Sequence, residues 1–284
     1  MTERFFGWRE EPPGEFDEIE DRDGQRIGAN RDGAEDLADA APPPKEAMAL
    51  VSALPPFKDQ TTTNTCCAQA LLNAAETRLR ALGVAVAPGS ARALYALSLE
   101  LLRAFRGEKI KDEGTFPRVL FQSAKDWGVA PDSVWPFRDR KTGRIHSPIE
   151  EVPPDVLQAA SAWKLDEQLT IYAKGPERIR IVKAAIANLE TVPSAGRVDQ
   201  AFLSHDGRGV LGPPDPRKDR GGHMVCIIAY RTNPRTGRLE FLIRNSWSRW
   251  GLVLQNQPSL AWVDEKWVMA QSELFRIRVT KGRS

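Results

Sequence analysis

The chain has 284 residues and 41% hydrophobic content, enough to bury one large core or two lobes, and shows no internal repeat of a fibre or solenoid. Its formal charge of +2 is uneven, with 6 basic and 14 acidic residues in Met1 to Glu46, net −8, and +10 on the remainder. Those later cations are scattered among acids without interleaved aromatics, which argues against a nucleic-acid partner; no run approaches 18 apolar residues, which argues against a membrane one.

Residues 1–46 read as an acidic, flexible leader rich in Gly, Asp and Pro, with Phe5, Phe6, Trp8 and Phe16 as its few apolar anchors. The composition favours a solvated extension; the alternative is self-inhibition, with those aromatics plugging a cleft. The start lacks the apolar h-region of a signal peptide, so a cytoplasmic protein is expected, with leaderless secretion as the alternative.

After a short apolar approach over 47–58, the polar loop Gln60 to Thr65 runs into Cys66-Cys67. Ala68, Leu71, Leu72, Ala75, Leu79 and Leu82 recur at three- and four-residue steps, predicting a helix from Cys66 to a stop at Gly83. Helical phase turns Cys66 outward and Cys67 inward. A thiol in the first turn feels unpaired N–H groups and the positive end of the helix dipole, both of which favour a nucleophilic thiolate.

Ser90 is an N-cap for a second helix ending near Gly107, and Val119, Leu120, Ala124 and Trp127 mark a third that stops at Gly128. A charged, proline-rich connector over 138–154 reads as a lobe boundary. Beyond it, Leu169 to Tyr172 reads as a strand, Arg178 to Leu189 as a helix, Arg197 to Leu203 as a strand and Ser204 to Gly222 as a loop. Met224 to Tyr230 and Leu239 to Arg244 bracket a turn at Asn233 to Gly237, predicting a hairpin. With the turn centred near Pro234, His223 and Asn245 lie opposite each other at its base, where the Asn carbonyl would hold the imidazole in one tautomer. A one-residue slip would put them on opposite faces.

Cys66, Cys67 and Cys226 build no disulfide framework, and with three scattered histidines they have no zinc-site spacing, so neither a metal nor another cofactor is expected. His146 and His205 read as solvated connector and turn residues.

Gln60, Cys66, Ala68 and Glu76, with Gly221-Gly222-His223 and Arg244-Asn245-Ser246-Trp247, resemble the nucleophile, histidine and asparagine segments of the papain/cathepsin cysteine peptidases. Gly128-Val129 and Trp135-Pro136-Phe137 match the middle of that family. Thr63, Asn64 and Cys67 depart from it, replacing its structural cysteine, its glycine and its tryptophan, and the step from Trp247 to Trp250 is one residue short. The resemblance implies an α+β, two-lobe fold, with a helical lobe over 47–150, an antiparallel β-rich lobe over 151–284 and the active cleft between them. It implies hydrolysis of protein or peptide substrates through a thioester. Cys66 would be the nucleophile, His223 its acid–base partner, Asn245 the group orienting the ring and Gln60 an oxyanion donor. Gly114 would lie near the substrate backbone and Phe116 near a side-chain pocket. Met224 would line the pocket for the second substrate residue, giving an apolar preference, and Trp247 would shield the His223–Asn245 bond. The alternatives are a related acyl-transfer effector (deamidase, transpeptidase or deconjugating peptidase) and an inactive binding module on the same fold.

Overall fold

The structure is a computed structural model that describes residues 7–11, 31–37, 42–107, 111–139, 141–160 and 163–281. Its α-helices are α1 (Ala49–Ala53), α2 (Cys66–Ala81), α3 (Ala91–Arg106), α4 (Pro117–Asp126), α5 (Pro154–Ala159), α6 (Gly175–Ala187), α7 (Gln200–Leu203) and α8 (Glu265–Ala270). Its strands are β1 (Arg31–Asp32), β2 (Trp163–Thr170), β3 (Val192–Asp199), β4 (Val210–Leu211), β5 (Asp219–Thr232), β6 (Leu239–Arg244), β7 (Leu252–Leu254), β8 (Gln257–Asp264) and β9 (Glu273–Lys281).

Helices α2, α3 and α4 start or stop where their capping residues demand. α2 ends as Gly83 turns left-handed at φ 75°. Ser90 caps α3 by accepting the Ala93 N–H at 3.1 Å, and Gly107 closes it at φ 65°. Pro117 opens α4 at a position where no amide hydrogen is needed. The apolar faces of these helices pack with Met224, Cys226, Ile228 and Phe275 into one core.

The strands run in the order β1-β2-β9-β3-β5-β6-β8-β4, with β7 beside β8; β1 on β2 and β4 on β8 are parallel, the other pairings antiparallel. Successive side chains of β5 alternate between faces. Met224 and Cys226 join the helical core, while Val225 and Ile227 join a second core with α6 and α8. Among the described residues no helix is long and apolar enough to cross a membrane.

Besides β4 within the expected loop and a β2 that runs from Trp163 only to Thr170, three elements near the site differ from the sequence reading. The Arg197 to Leu203 stretch is strand only to Asp199, because the Asp199 carboxylate accepts the Phe202 N–H at 2.9 Å and starts α7. Asp219 to Gly222, expected as loop, extend β5 by pairing with β3. The hairpin turn spans the six residues between the Thr232–Leu239 pair, so its register is not the one centred on Pro234: Tyr230 faces Phe241. A β-bulge between Ile227 and Ala229 then moves the ladder by one position, so that Cys226 faces Arg244. That single step restores the parity that places His223 and Asn245 on one face; continued unchanged from the turn, the ladder would separate them.

Candidate active site

Cys66 opens α2, and the Thr65 N-cap provides no side-chain hydrogen bond, which leaves the first-turn amides facing the thiol. The expected outward thiol is in fact 0% exposed. Helical phase identifies which side of α2 Cys66 occupies but not what covers that side, and here His223 and Met224 of β5 lie against it. Burial raises the Cys66 thiol, but hydrogen bonds from Cys67 and His223, the His223 charge and the Met224 backbone N–H outweigh it and bring the pKa well below its usual value. Burial and the neighbouring Cys66 push Cys67 the other way. Its Sγ points to the carbonyls of Gly7 at 3.6 Å and Thr115 at 3.7 Å.

His223 sits on β5 with its Nε2 2.8 Å from Asn245 Oδ1. That leaves Nδ1 for Cys66. Asn245 Oδ1 also accepts the Ser246 N–H at 2.7 Å, which fixes the amide's orientation. Trp247 stacks on the imidazole with centroids 4.2 Å apart and planes 22° apart, covering the His223–Asn245 pair. Phe202 meets both rings edge-on, and Trp250 braces Phe202 from behind at 4.9 Å, its Nε1 donating to the Phe202 carbonyl at 2.6 Å. His205, expected to be solvated, is buried against the Trp250 ring, and burial lowers its pKa.

Gln60 is fully buried beside the thiol's loop. Its Oε1 accepts the Ser246 hydroxyl at 2.6 Å, its backbone N–H donates to the Ser246 carbonyl at 2.9 Å, and its amide nitrogen donates to Thr63 O at 3.0 Å. Ser246 therefore locks Gln60 to the Asn245 strand, a role that its adjacency to Asn245 alone did not reveal. Lys58, two residues before, is anchored to Glu76 of α2 at 3.1 Å. In this loop Thr61 is left-handed, at φ 53°.

Gly114, at φ 89°, is held by the Tyr95 hydroxyl, which accepts its N–H at 3.0 Å and donates to Asp112 at 2.9 Å. Phe116 is buried, with the Arg9 guanidinium 4.5 Å above its ring, and Met224 is buried on β5.

The leader passes through this cleft. Thr115 donates its N–H to Gly7 O at 2.9 Å and accepts the Arg9 N–H at 3.1 Å, a one-residue parallel bridge at Trp8; on the other wall the Trp8 N–H approaches Gly222 O at 3.4 Å. Trp8 is 5% exposed, unlike the solvated extension that composition favoured, while Phe5, Phe6 and Phe16 lie outside the described residues. The slot is narrow. A Cβ on Gly114 would lie 2.5 Å from Gly7 O, one on Gly222 2.2 Å from the Trp8 ring, and one on Gly7 1.7 Å from Asn64 O.

Among solved structures the chain is similar to xylellain, a cysteine protease from Xylella fastidiosa, at 20% identity with a TM-score of 0.69 over 98% of both chains. The fold is papain-like. A procathepsin B from Trypanosoma congolense shares this papain-like fold at 12% identity and TM-score 0.66, over 87% of this chain and 80% of its own. Bromelain from Ananas comosus, solved with the E64 inhibitor, shares it at 14% identity and TM-score 0.62, over 82% of this chain and 98% of its own. By sequence the chain is 26% identical over 147 residues to an uncharacterized peptidase C1-like protein of Acanthamoeba polyphaga mimivirus, a match that takes in 50% of this chain and 45% of that relative's length. No family model matches the chain.

Proposed function

We propose that this papain-like chain is a cysteine peptidase with a Cys66–His223–Asn245 triad, held latent by its own residues 7–11. The observation that carries the reading is the imidazole of His223, with Asn245 Oδ1 2.8 Å from Nε2 on one side and the Cys66 thiol, whose pKa it helps to lower, on the other. The Cys66 thiolate attacks a peptide carbonyl. His223 protonates the departing amine, leaving a thioester, and then takes a proton from the water that releases the acid. The Gln60 amide and the Cys66 backbone N–H stabilise the tetrahedral oxyanion, each such donor contributing about 3 kcal/mol. Asn245 orients the ring and Trp247 keeps water from the bond between them.

Latency rests on Gly7 to Arg9, which hydrogen-bond to both walls of the slot and so occupy the place a substrate strand would take. The test is alkylation by an epoxide together with cleavage of a peptide library, using full-length protein with the leader displaced by Gly7→Val. Cys66→Ala is expected to abolish labelling and cleavage, while Cys67→Ala keeps both. Adduct mapped to Cys67, or cleavage surviving Cys66→Ala, would overturn the assignment.

A further inference from the structure

A cavity of about 340 Å³ opens where the chain approaches the Gln60 loop, between residues 56–59, the turn at Pro88 and Gly89, and Phe137. Its volume is at the small end of those that hold ligands. Pro56, Phe57, Pro88 and Phe137 give it apolar walls, and Gln69 of α2, 1% exposed, lines it from the helix side. Gln69 donates its Nε2 to Thr65 Oγ1 at 3.4 Å, but its Oε1 is buried with no hydrogen-bond partner among the described residues. A buried amide oxygen left in this way is destabilising until a donor reaches it.

The charges around the cavity add to that surplus of acceptors. Lys58 is committed, with its Nζ 3.1 Å from Glu76 and 3.3 Å from Gly89 O. Asp59 and Asp132 then face one further cation of the lining, Arg138, which donates to Gly143 O at 2.9 Å and stands 4.0 Å from Asp59 Oδ2. Both carboxylates use Oδ1 on the backbone: Asp59 accepts the Thr61 N–H at 3.0 Å and the Ser248 N–H at 3.4 Å, and Asp132 accepts the Phe137 N–H at 3.1 Å. The geometry points to a second ligand site, one for a small organic cation that carries an ammonium on an aromatic body. The ammonium supplies the donor that Gln69 Oε1 lacks and offsets the excess carboxylate charge, while the body packs between the prolines and the Phe57 and Phe137 rings. An acid of the same shape would bring a second negative charge to the same acceptors.

The cavity sits behind the proposed oxyanion donor. From Gln69 the hydrogen bonds run through Thr65 Oγ1 to Thr63 Oγ1 at 2.8 Å and on to Gln60 O at 2.7 Å, and Gln60 Nε2 returns to Thr63 O at 3.0 Å. Asp59 holds the same loop from its other end, through Thr61. A cation seated in the cavity therefore fixes the Gln69 amide and the Asp59 carboxylate together and stiffens the loop between them. The site does not depend on the peptidase reading, since none of Cys66, His223 and Asn245 lines the cavity.

The test is calorimetric titration of the full-length protein with three probes of similar shape, 2-phenylethylamine, 2-phenylethanol and 3-phenylpropanoate. The amine is expected to bind, and the alcohol to bind at least about tenfold more weakly, the scale of one charge-assisted hydrogen bond. The acid should show no binding. Asp132→Asn keeps the Oδ1 that Phe137 uses and removes the charge, and it should weaken the amine at least about fivefold. Ala91→Phe, whose ring fills the cavity, should abolish binding in a protein that still melts cooperatively. As a second readout, saturating amine should slow hydrogen exchange at least about threefold over residues 60–65 and leave α6 unaltered. No binding of the amine up to about 10 mM, equal affinity for amine and alcohol, or an amine affinity indifferent to Asp132→Asn overturns the site. Binding without slower exchange over 60–65 overturns its tie to the Gln60 loop.

Discussion

Two stretches of the acidic N-terminal segment are held in opposite ways. Residues 7–11 lie in the cleft through backbone hydrogen bonds and one indole, and their charged contacts include the Arg9–Phe116 stack and the Glu11–Arg118 ion pair at 3.0 Å. Residues 31–37 are stitched into the fold: β1 pairs with β2, Leu37 is buried in the second core, and Asp36 pairs with Arg276 and Arg278 of β9. Arg276 is itself almost fully buried, and its remaining bonds go to Glu190 at 2.6 and 3.0 Å and to Gly33 O at 2.8 Å. The first stretch occupies a site that something else could fill, while the second fills a place in the fold that nothing else can. A leader treated as one tail would hide this division, and cutting at Pro44 would remove both functions at once.

The largest effect should come from the structural stretch. Arg276→Ala leaves Glu190 buried with its main partner gone and is expected to cost about 3–5 kcal/mol in a denaturant titration, with no gain in Cys66 alkylation measured well below the transition. A stability near wild type would mean that the 31–37 stretch is as dispensable as the other. Next is Gly7→Val, whose side chain cannot fit against Asn64 O. It should accelerate Cys66 alkylation at least about tenfold, since it forfeits the burial of Trp8 and several hydrogen bonds, and it should leave the melting temperature within a few degrees of wild type. Unaltered alkylation would show that the 7–11 segment does not guard the thiol.

A smaller effect separates the two stretches by pH. Burial raises the Asp36 carboxyl, but Arg276 and Arg278 outweigh it and hold its pKa down to about 2. The folded value lies below the ordinary one of 3.8, so the stabilisation is complete above that pH and is lost as pH falls toward 2. Asp36→Asn should therefore flatten the part of the melting-temperature decline that lies between pH 4 and 2; parallel curves for the two proteins would argue that Asp36 is a bystander. Smallest of all should be salt. Raising ionic strength screens the Glu11–Arg118 pair but not the seat of Trp8, so alkylation should quicken by less than about threefold from low to high salt.

Much of this architecture is legible in the residues, for local reasons. Ser90, Gly83, Gly107 and Pro117 are cap residues whose chemistry acts within one turn, and α2, α3 and α4 obey them. His223 and Asn245 were readable as the two ends of one hairpin, but whether they share a face depends on its details. Those details were not readable. The six-residue turn and the bulge before Ala229 shift the register in steps that the alternation of apolar residues does not record, since β5 is buried on both faces and reads as one apolar run. Glu273 of β9, whose carboxylate accepts the Trp8 indole N–H at 2.7 Å, gave no signal either, because it becomes a neighbour of Met224 only through Ala195 of an intervening strand. The backbone of residues 7–9 is held by main-chain groups of Thr115 and Gly222, and main-chain groups are the same in every sequence.

The glycine walls at 114 and 222 also act as a gauge. With side chains at neither position, and less than a methyl group's clearance above each, the slot is as wide as one extended strand. A helix, with a diameter of roughly 10–12 Å including side chains, cannot lie in it, and neither can a hairpin. Whatever displaces Gly7 to Arg9 must arrive already stripped of its own secondary structure. For a folded protein the rate of capture is then set by how often a segment of it opens, which belongs to the stability of the target rather than to the affinity of the cleft.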